Sequence, residues 1–203
     1  GIPIIYTCMY EPCKFPGVNS ITGTCSRALV SNLLRYLKSL TAFSSLGVIY
    51  NSNEDDSMYQ MQELNRLSTR LGYKIEEIDI KRPQDIKRKL QEKTMDAIII
   101  ANSSAAGIAF PSIIEFSMEH RIPTASLLSD KNHYATITLA PAPDEQGEKT
   151  AEKVIRIFNG DDPKNVKADI SNESELVFNL KDASSMGLRI PMELITEATK
   201  LIK

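Results

Sequence analysis

Short runs rich in Ile, Val and Leu alternate along this chain with longer stretches of helical period, and that alternation limits the fold more than any other feature. IPIIYTC (2–8), LGVIYN (46–51), YKIEEIDI (73–80), MDAIIIAN (95–102) and IPTASLL (122–128) read as strands. MDAIIIAN, the most apolar, is expected to be central. Between them lie amphipathic segments. From Thr24 a helix pattern starts, with Leu29, Leu33, Leu37 and Leu40 on one face; in 52–73, Met61, Leu64, Leu67 and Leu71 mark the inner face and Gly72 the stop. PQDIKRKLQEK (83–93) and FPSIIEFSMEHR (110–121) complete the series. Strands separated by helices imply right-handed βαβ units, hence an α/β chain with doubly wound, mostly parallel sheets. After residue 130 the rhythm changes. HYATITLAP (133–141) and ELVFNL (175–180) read as strands, 145–163 and 191–202 as helices, and the polar 159–174 as a surface connection.

The 203 residues carry a formal charge of -2, which gives no electrostatic reason to expect nucleic acid or an anionic membrane as partner. The basic run KRPQDIKRK is flanked by acidic residues and reads as a solvated helix face. No apolar run approaches the roughly 18 residues that span a bilayer. The start, GIPIIYTC, lacks the basic opening of a signal peptide.

All three cysteines, Cys8, Cys13 and Cys25, lie in CMYEPCKFPGVNSITGTC, the least regular stretch. No histidine is near, since His120 and His133 are distant in sequence, so the expectation is no metal. A Cys8–Cys13 disulfide is sterically possible; burial of free thiols is the other reading, and it is preferred. The odd count leaves at least one thiol unpaired within the chain. Neither GxGxxG nor GxxxxGK[ST] occurs, and only two histidines could serve a thiol nucleophile as base. The expectation is therefore no cofactor and no catalysis.

Parallel sheets of this class bind ligands beyond the carboxyl ends of their strands. Those ends carry Thr7, Tyr10 and Glu11; then Asn51; then Asn102, Ser103 and Ser104; and Ser126. Small hydroxyl and amide groups orient polar ligands, and helix N-termini behind them favour carboxylate or phosphate. The same residues also cap helices in any α/β protein. Spacing alone leaves both roles open.

IPIIYTCMYEPC, PGVNSITGT, LGVIYNSNEDDS, MDAIIIANSSAA, RIPTASL, FNGDDPKNV and LVFNLKDASSMGLRIPMELITEATKLI, in that order, resemble the substrate-binding proteins of ABC transporters, in the group that includes tryptophan-binding and other aromatic amino acid-binding members. The resemblance covers nearly the whole chain. It implies a type I periplasmic-binding-protein fold, two α/β lobes joined by a hinge, closing on a small amino-acid-like solute for an importer. It also implies that the first lobe is incomplete here: 1–44 a remnant of lobe one with hinge and cleft loop, 45–130 a complete lobe two, and 131–203 a return crossing with the last strand and helices. Pro16, Gly17 and Gly23 are expected as hinge positions.

Carried over residue by residue, Glu11 stands for the Asp of the family's Asp-Pro turn, Thr22-Gly23 matches a Thr-Gly step, and Asp56-Ser57 an Asn-Ser step. Ser103 and Ser104 replace an Asp-Asn pair, and Leu127 lies near where an acidic residue is usual. The resemblance thus implies Thr22, Asp56 and Ser57 as ligand positions beside those read from strand ends. A ligand ammonium loses its usual carboxylates here, so the solute is less cationic or the site is idle. The implied partners are a small-molecule ligand and a membrane permease outside the cytoplasm; a signalling partner is the alternative, with the same fold as a sensory module. An incomplete lobe leaves sheet edges uncovered, which implies a possible homodimer.

Overall fold

The structure, a computed structural model, describes residues 2–10, 20–27, 29–128, 133–171 and 173–203. The chain divides into two compact units. The smaller comprises 1–28 and 141–174, the larger 29–140 and 175–203.

The larger unit follows the alternation. Its strands are β3 (Ser45–Tyr50), β4 (Lys74–Asp79), β5 (Ala97–Ile100), β6 (Thr124–Ser126), β7 (Ile137–Pro141), β9 (Ser174–Asn179) and β10 (Lys200–Ile202), in the order β10-β9-β7-β6-β5-β3-β4. β3 pairs in parallel with β4 and β5, β5 with β6, β6 with β7, and β9 with β10. Its helices are α1 (Val30–Leu40), α2 (Asp55–Leu71), α3 (Ile86–Gln91), α4 (Ser104–His120), α6 (Leu180–Ser185) and α7 (Met192–Glu197). Every residue of β5 is buried, as a strand covered on both faces must be. β5 is interior, between β3 and β6, while β6 holds the middle place.

Ile98 and Ile100 of β5 pack in one cluster with Ile49, Ile78, Leu90, Phe110 and Ile113. Each such side chain contributes about 1.5–3 kcal/mol by leaving water. α2 stops at Gly72, whose φ of 71° is the left-handed closure an L side chain resists. The basic run at 81–89 is solvated, as expected. Arg82 pairs with Asp85, Lys87 with Glu115 and Arg88 with Glu92.

The smaller unit is a three-stranded sheet, β1 (Ile4–Tyr10), β2 (Ile21–Ser26) and β8 (Asp169–Ser171), in the order β1-β2-β8, with helix α5 (Pro143–Phe158) packed on it. All its pairings are parallel. β1 carries an irregularity between Tyr6 and Met9, where Cys8 takes a φ of 57°.

Several expectations move. The helix from Thr24 begins only at Val30, and 21–26 is a strand instead: Thr22, Thr24 and Ser26 form one alternating face, and β2 pairs on both edges. Gly23 is therefore not a hinge. A Cβ there would lie 2.1 Å from the Tyr6 carbonyl oxygen, so the close approach of β1 requires glycine. Pro16 and Gly17 lie outside the described residues. α1 belongs to the larger unit rather than to a remnant ending at 44, and the chain passes between units near 28, 140 and 174.

α4 starts at Ser104, not at Phe110, because Ser103 accepts from Ala106 N–H and helix-forming Ala105, Ala106 and Ala109 follow. The polar stretch 159–174 contains β8. The terminal helix ends at Glu197: Thr199 N–H donates to the Leu176 carbonyl at 2.8 Å and draws the chain into β10 at the sheet edge.

Candidate functional site

In the larger unit the helix after β3 leads to β4 on one side, whereas the helix after β5 leads to β6 on the other. The crossovers diverge between β3 and β5, and the loops leaving these two strands form the crevice where doubly wound sheets hold ligands. Asn51, Asn102, Ser103 and Ser104 all fall there.

Their bonds separate scaffold from site. Asn51 is buried; its N–H donates to Ser57 Oγ (2.8 Å), its Oδ1 accepts from Asn53 N–H (3.0 Å), and its Nδ2 donates to Glu54 (2.7 Å). Ser57 is wholly buried, so this expected ligand position shapes the turn. Glu54 also accepts from Ser104 N–H at 2.8 Å. One carboxylate thereby ties the β3–α2 loop to the first turn of α4 and supplies negative charge where that helix end is positive. Asp79, at the end of β4, accepts from both the N–H (2.9 Å) and hydroxyl (2.8 Å) of Ser52. Gln60, wholly buried on α2, takes the Asn102 N–H on its Oε1 at 2.7 Å.

Ser103 is the buried N-cap of α4, and Ser126 closes a turn with Leu128 N–H at 3.0 Å. The side chains of Asn102 and Ser104 bond to none of the described residues, and Ser104 is exposed. Asp56 lies half-buried in the first turn of α2. Thus Asn102 and Ser104 have polar groups to spare, while Ser57, Ser103 and Ser126 are bonded to backbone and Asn51 to backbone and to the Glu54 carboxylate.

Glu54, Asp79 and Gln60 are not among the ligand positions expected from sequence. Glu54 stands where an acidic helix start is expected anyway, and nothing local distinguishes its bridging role. Burial also raises the phenol pKa of Tyr50 beneath this edge, helped by the Glu77 carboxylate that accepts its hydroxyl at 2.8 Å.

In the smaller unit, Thr7 and Tyr10 lie on β1 and Thr22 on β2. Thr7 is exposed, and its hydroxyl sits 3.0 Å from that of Thr150 on α5. Tyr10 and Thr22 are buried. Glu11, like Cys13, lies outside the described residues. Cys8 is free and exposed, whereas Cys25 is buried and disulfide-bonded. This corrects both cysteine readings, a Cys8–Cys13 bond and buried free thiols. β1 turns Cys8 outward at its irregularity, while Cys25 points into the sheet's packing. Among the described residues, no group of three or more His, Cys, Asp or Glu is placed to hold a metal ion. The arrangement offers hydrogen bonds and fixed charge for holding a polar solute.

A family described as ABC transporter substrate binding protein matches residues 3–202. A tyrosine-binding protein from Clostridioides difficile is 22% identical over 216 residues, spanning 100% of this chain; the chain spans 61% of the length of that relative. Among solved structures, an ABC domain in complex with L-Trp from Streptococcus pneumoniae superposes with a TM-score of 0.86 at 20% identity, covering 98% of this chain and 73% of that one. A conserved domain protein from Vibrio cholerae also gives 0.86, at 22% identity, covering 98% and 71%.

Proposed function

The chain belongs to the ABC transporter substrate-binding protein family, and from that premise we propose that it binds an amino-acid-like solute without transforming it and presents it to a membrane permease. The carrying observation is the crevice between β3 and β5. Two loops bridged by Glu54 hold the Asn102 and Ser104 side chains, with polar groups to spare, beside a fixed carboxylate. Glu54 answers the loss of the acidic residue of the Asp-Asn pair that Ser103 and Ser104 replace. A solute ammonium finds its counter-charge on the β3–α2 loop instead, so the site keeps an amino acid within its range.

The names of the relatives make aromatic amino acids the first solutes to test. Binding shifts the population toward the conformation a permease recognises. The place of work is extracytoplasmic, as is usual for proteins of this family. No helix among the described residues is long and apolar enough to cross a membrane.

Native mass spectrometry of the purified chain, followed by calorimetric titration with L-tyrosine and L-tryptophan, tests the proposal. One solute per chain, released on activation or bound with a measurable heat, is the expected result. Failure to bind any of the twenty amino acids would refute it.

A further inference from the structure

Among the described residues, the smaller unit buries three side-chain oxygens that its own fold leaves unused, Thr22 Oγ1, Ser26 Oγ and Gln146 Oε1, and the last two lie at one end of the sheet. α5 runs antiparallel to its sheet, as three contacts fix. Glu145 accepts from the Ser171 hydroxyl at the end of β8, Thr150 lies 3.2 Å from Thr24 Oγ1, and Lys153 pairs with Asp169 at the start of β8. Ser171 is in register with Ser26, the last residue of β2, and side chains in register on parallel strands point to the same face. Ser26 therefore faces the turn of α5 that holds Gln146.

Both residues are almost wholly buried, 3% and 4% exposed, and Ser26 Oγ and Gln146 Oε1 have no hydrogen-bond partner among the described residues. They do not bond each other. Leaving such groups buried and unpaired opposes folding.

We propose that Ser26 and Gln146 form a polar subsite at the carboxyl end of the smaller sheet, which takes a hydrogen-bond donor of an amino-acid-like solute. The inference rests on the reading of the chain as an amino-acid-like solute binder. Gln146 Oε1 only accepts, so the incoming group must carry a hydrogen; the Ser26 hydroxyl rotates to accept or donate. Two groups of an aromatic amino acid qualify, a side-chain hydroxyl and the α-ammonium. Pro143 and Asp144, just ahead on α5, are exposed, so this helix end is open to solvent.

The test is titration of the 203-residue chain, wild type, Gln146→Leu and Ser26→Ala, with L-tyrosine, L-phenylalanine and 3-phenylpropionate, alongside melting of each unliganded protein. The tyrosine-to-phenylalanine ratio reads the hydroxyl, and the phenylalanine-to-phenylpropionate ratio the ammonium. The expected result is a wild-type preference of about tenfold or more in one ratio, collapsing to within about twofold in Gln146→Leu, with no loss of unliganded melting temperature. Ratios unchanged in both variants overturn the subsite. So does a lowered melting temperature with unchanged ratios, which means a buried water bridges the two groups. Wild-type binding with no preference in either ratio overturns the subsite alone, whereas no binding of any amino acid overturns the solute-binding reading and the subsite with it.

Discussion

Glu54→Gln is the sharpest perturbation of the crevice, because it keeps the shape of the side chain and changes only its bonding. Two donors converge on Glu54, Asn51 Nδ2–H at 2.7 Å and Ser104 N–H at 2.8 Å, one on each oxygen. A carboxamide has one acceptor oxygen, so one donor is left facing an NH2 group. The negative charge at the first turns of α2 and α4 is lost as well. A charge-assisted hydrogen bond is worth about 1.5–3 kcal/mol net when well shielded, and the half-exposed position of Glu54 discounts that to the lower end. Loss of a carboxylate from a helix N-terminus adds about 0.3–1 kcal/mol.

The expected destabilisation is therefore about 2–2.5 kcal/mol, which lowers Tm by roughly 4–10 °C for a chain of this size. Scanning calorimetry of wild type and variant under identical buffer reads it directly. Glu54→Ala should cost at least as much, and Asn51→Ala combined with Glu54→Ala should cost less than the sum of the single changes. A Tm for Glu54→Gln within about 1 °C of wild type would show that the carboxylate bridges nothing of consequence, well short of the shift expected here.

Three further outcomes follow from the geometry. Gly23→Ala should destabilise the smaller unit by about 2 kcal/mol or more, since the new methyl meets the Tyr6 carbonyl oxygen at 2.1 Å; preferential proteolysis within that unit reads the loss. Asp96 accepts from Ser44 N–H, Ser45 N–H and the Ser44 hydroxyl, which hold its carboxyl pKa below the usual range. A lowered folded pKa means stability present above the unfolded value and lost as pH falls through the folded one, so Asp96→Asn should flatten the fall in urea midpoint below about pH 4. Lys153 is buried against a half-exposed Asp169. Its replacement by Met keeps the packing and removes a desolvation cost, so chemical denaturation should show Lys153→Met near neutral and Lys153→Ala destabilised by about 2 kcal/mol.

The alternation of apolar runs determined much of this protein before any tertiary contact is considered. LGVIYN, MDAIIIAN and IPTASLL are strands whose side chains are buried on covered faces, whereas YKIEEIDI, at the sheet edge, buries Ile78 and leaves Lys74 exposed. α2 ends at Gly72 because only a left-handed residue closes it there. Such signals are local, carried by neighbours within a turn or a pleat. Ser103 was legible as a strand-end residue, but local pattern serves capping and binding equally well, and the hydrogen bond to Ala106 decides for capping.

What lay beyond the sequence depends on partners far along the chain. ITGTCS is a strand only because IIYTCMY and DIS flank it, the latter nearly 150 residues away. β10 forms because Leu176 offers its carbonyl to Thr199. Glu54 becomes a bridge only when β5 is laid beside β3 and brings Ser104 within reach, a separation of 50 residues. The unpaired Ser26 and Gln146 are visible only once α5 is set antiparallel on β2. Local pattern specifies which faces must be buried; only packing specifies which polar groups then find partners and which are left over.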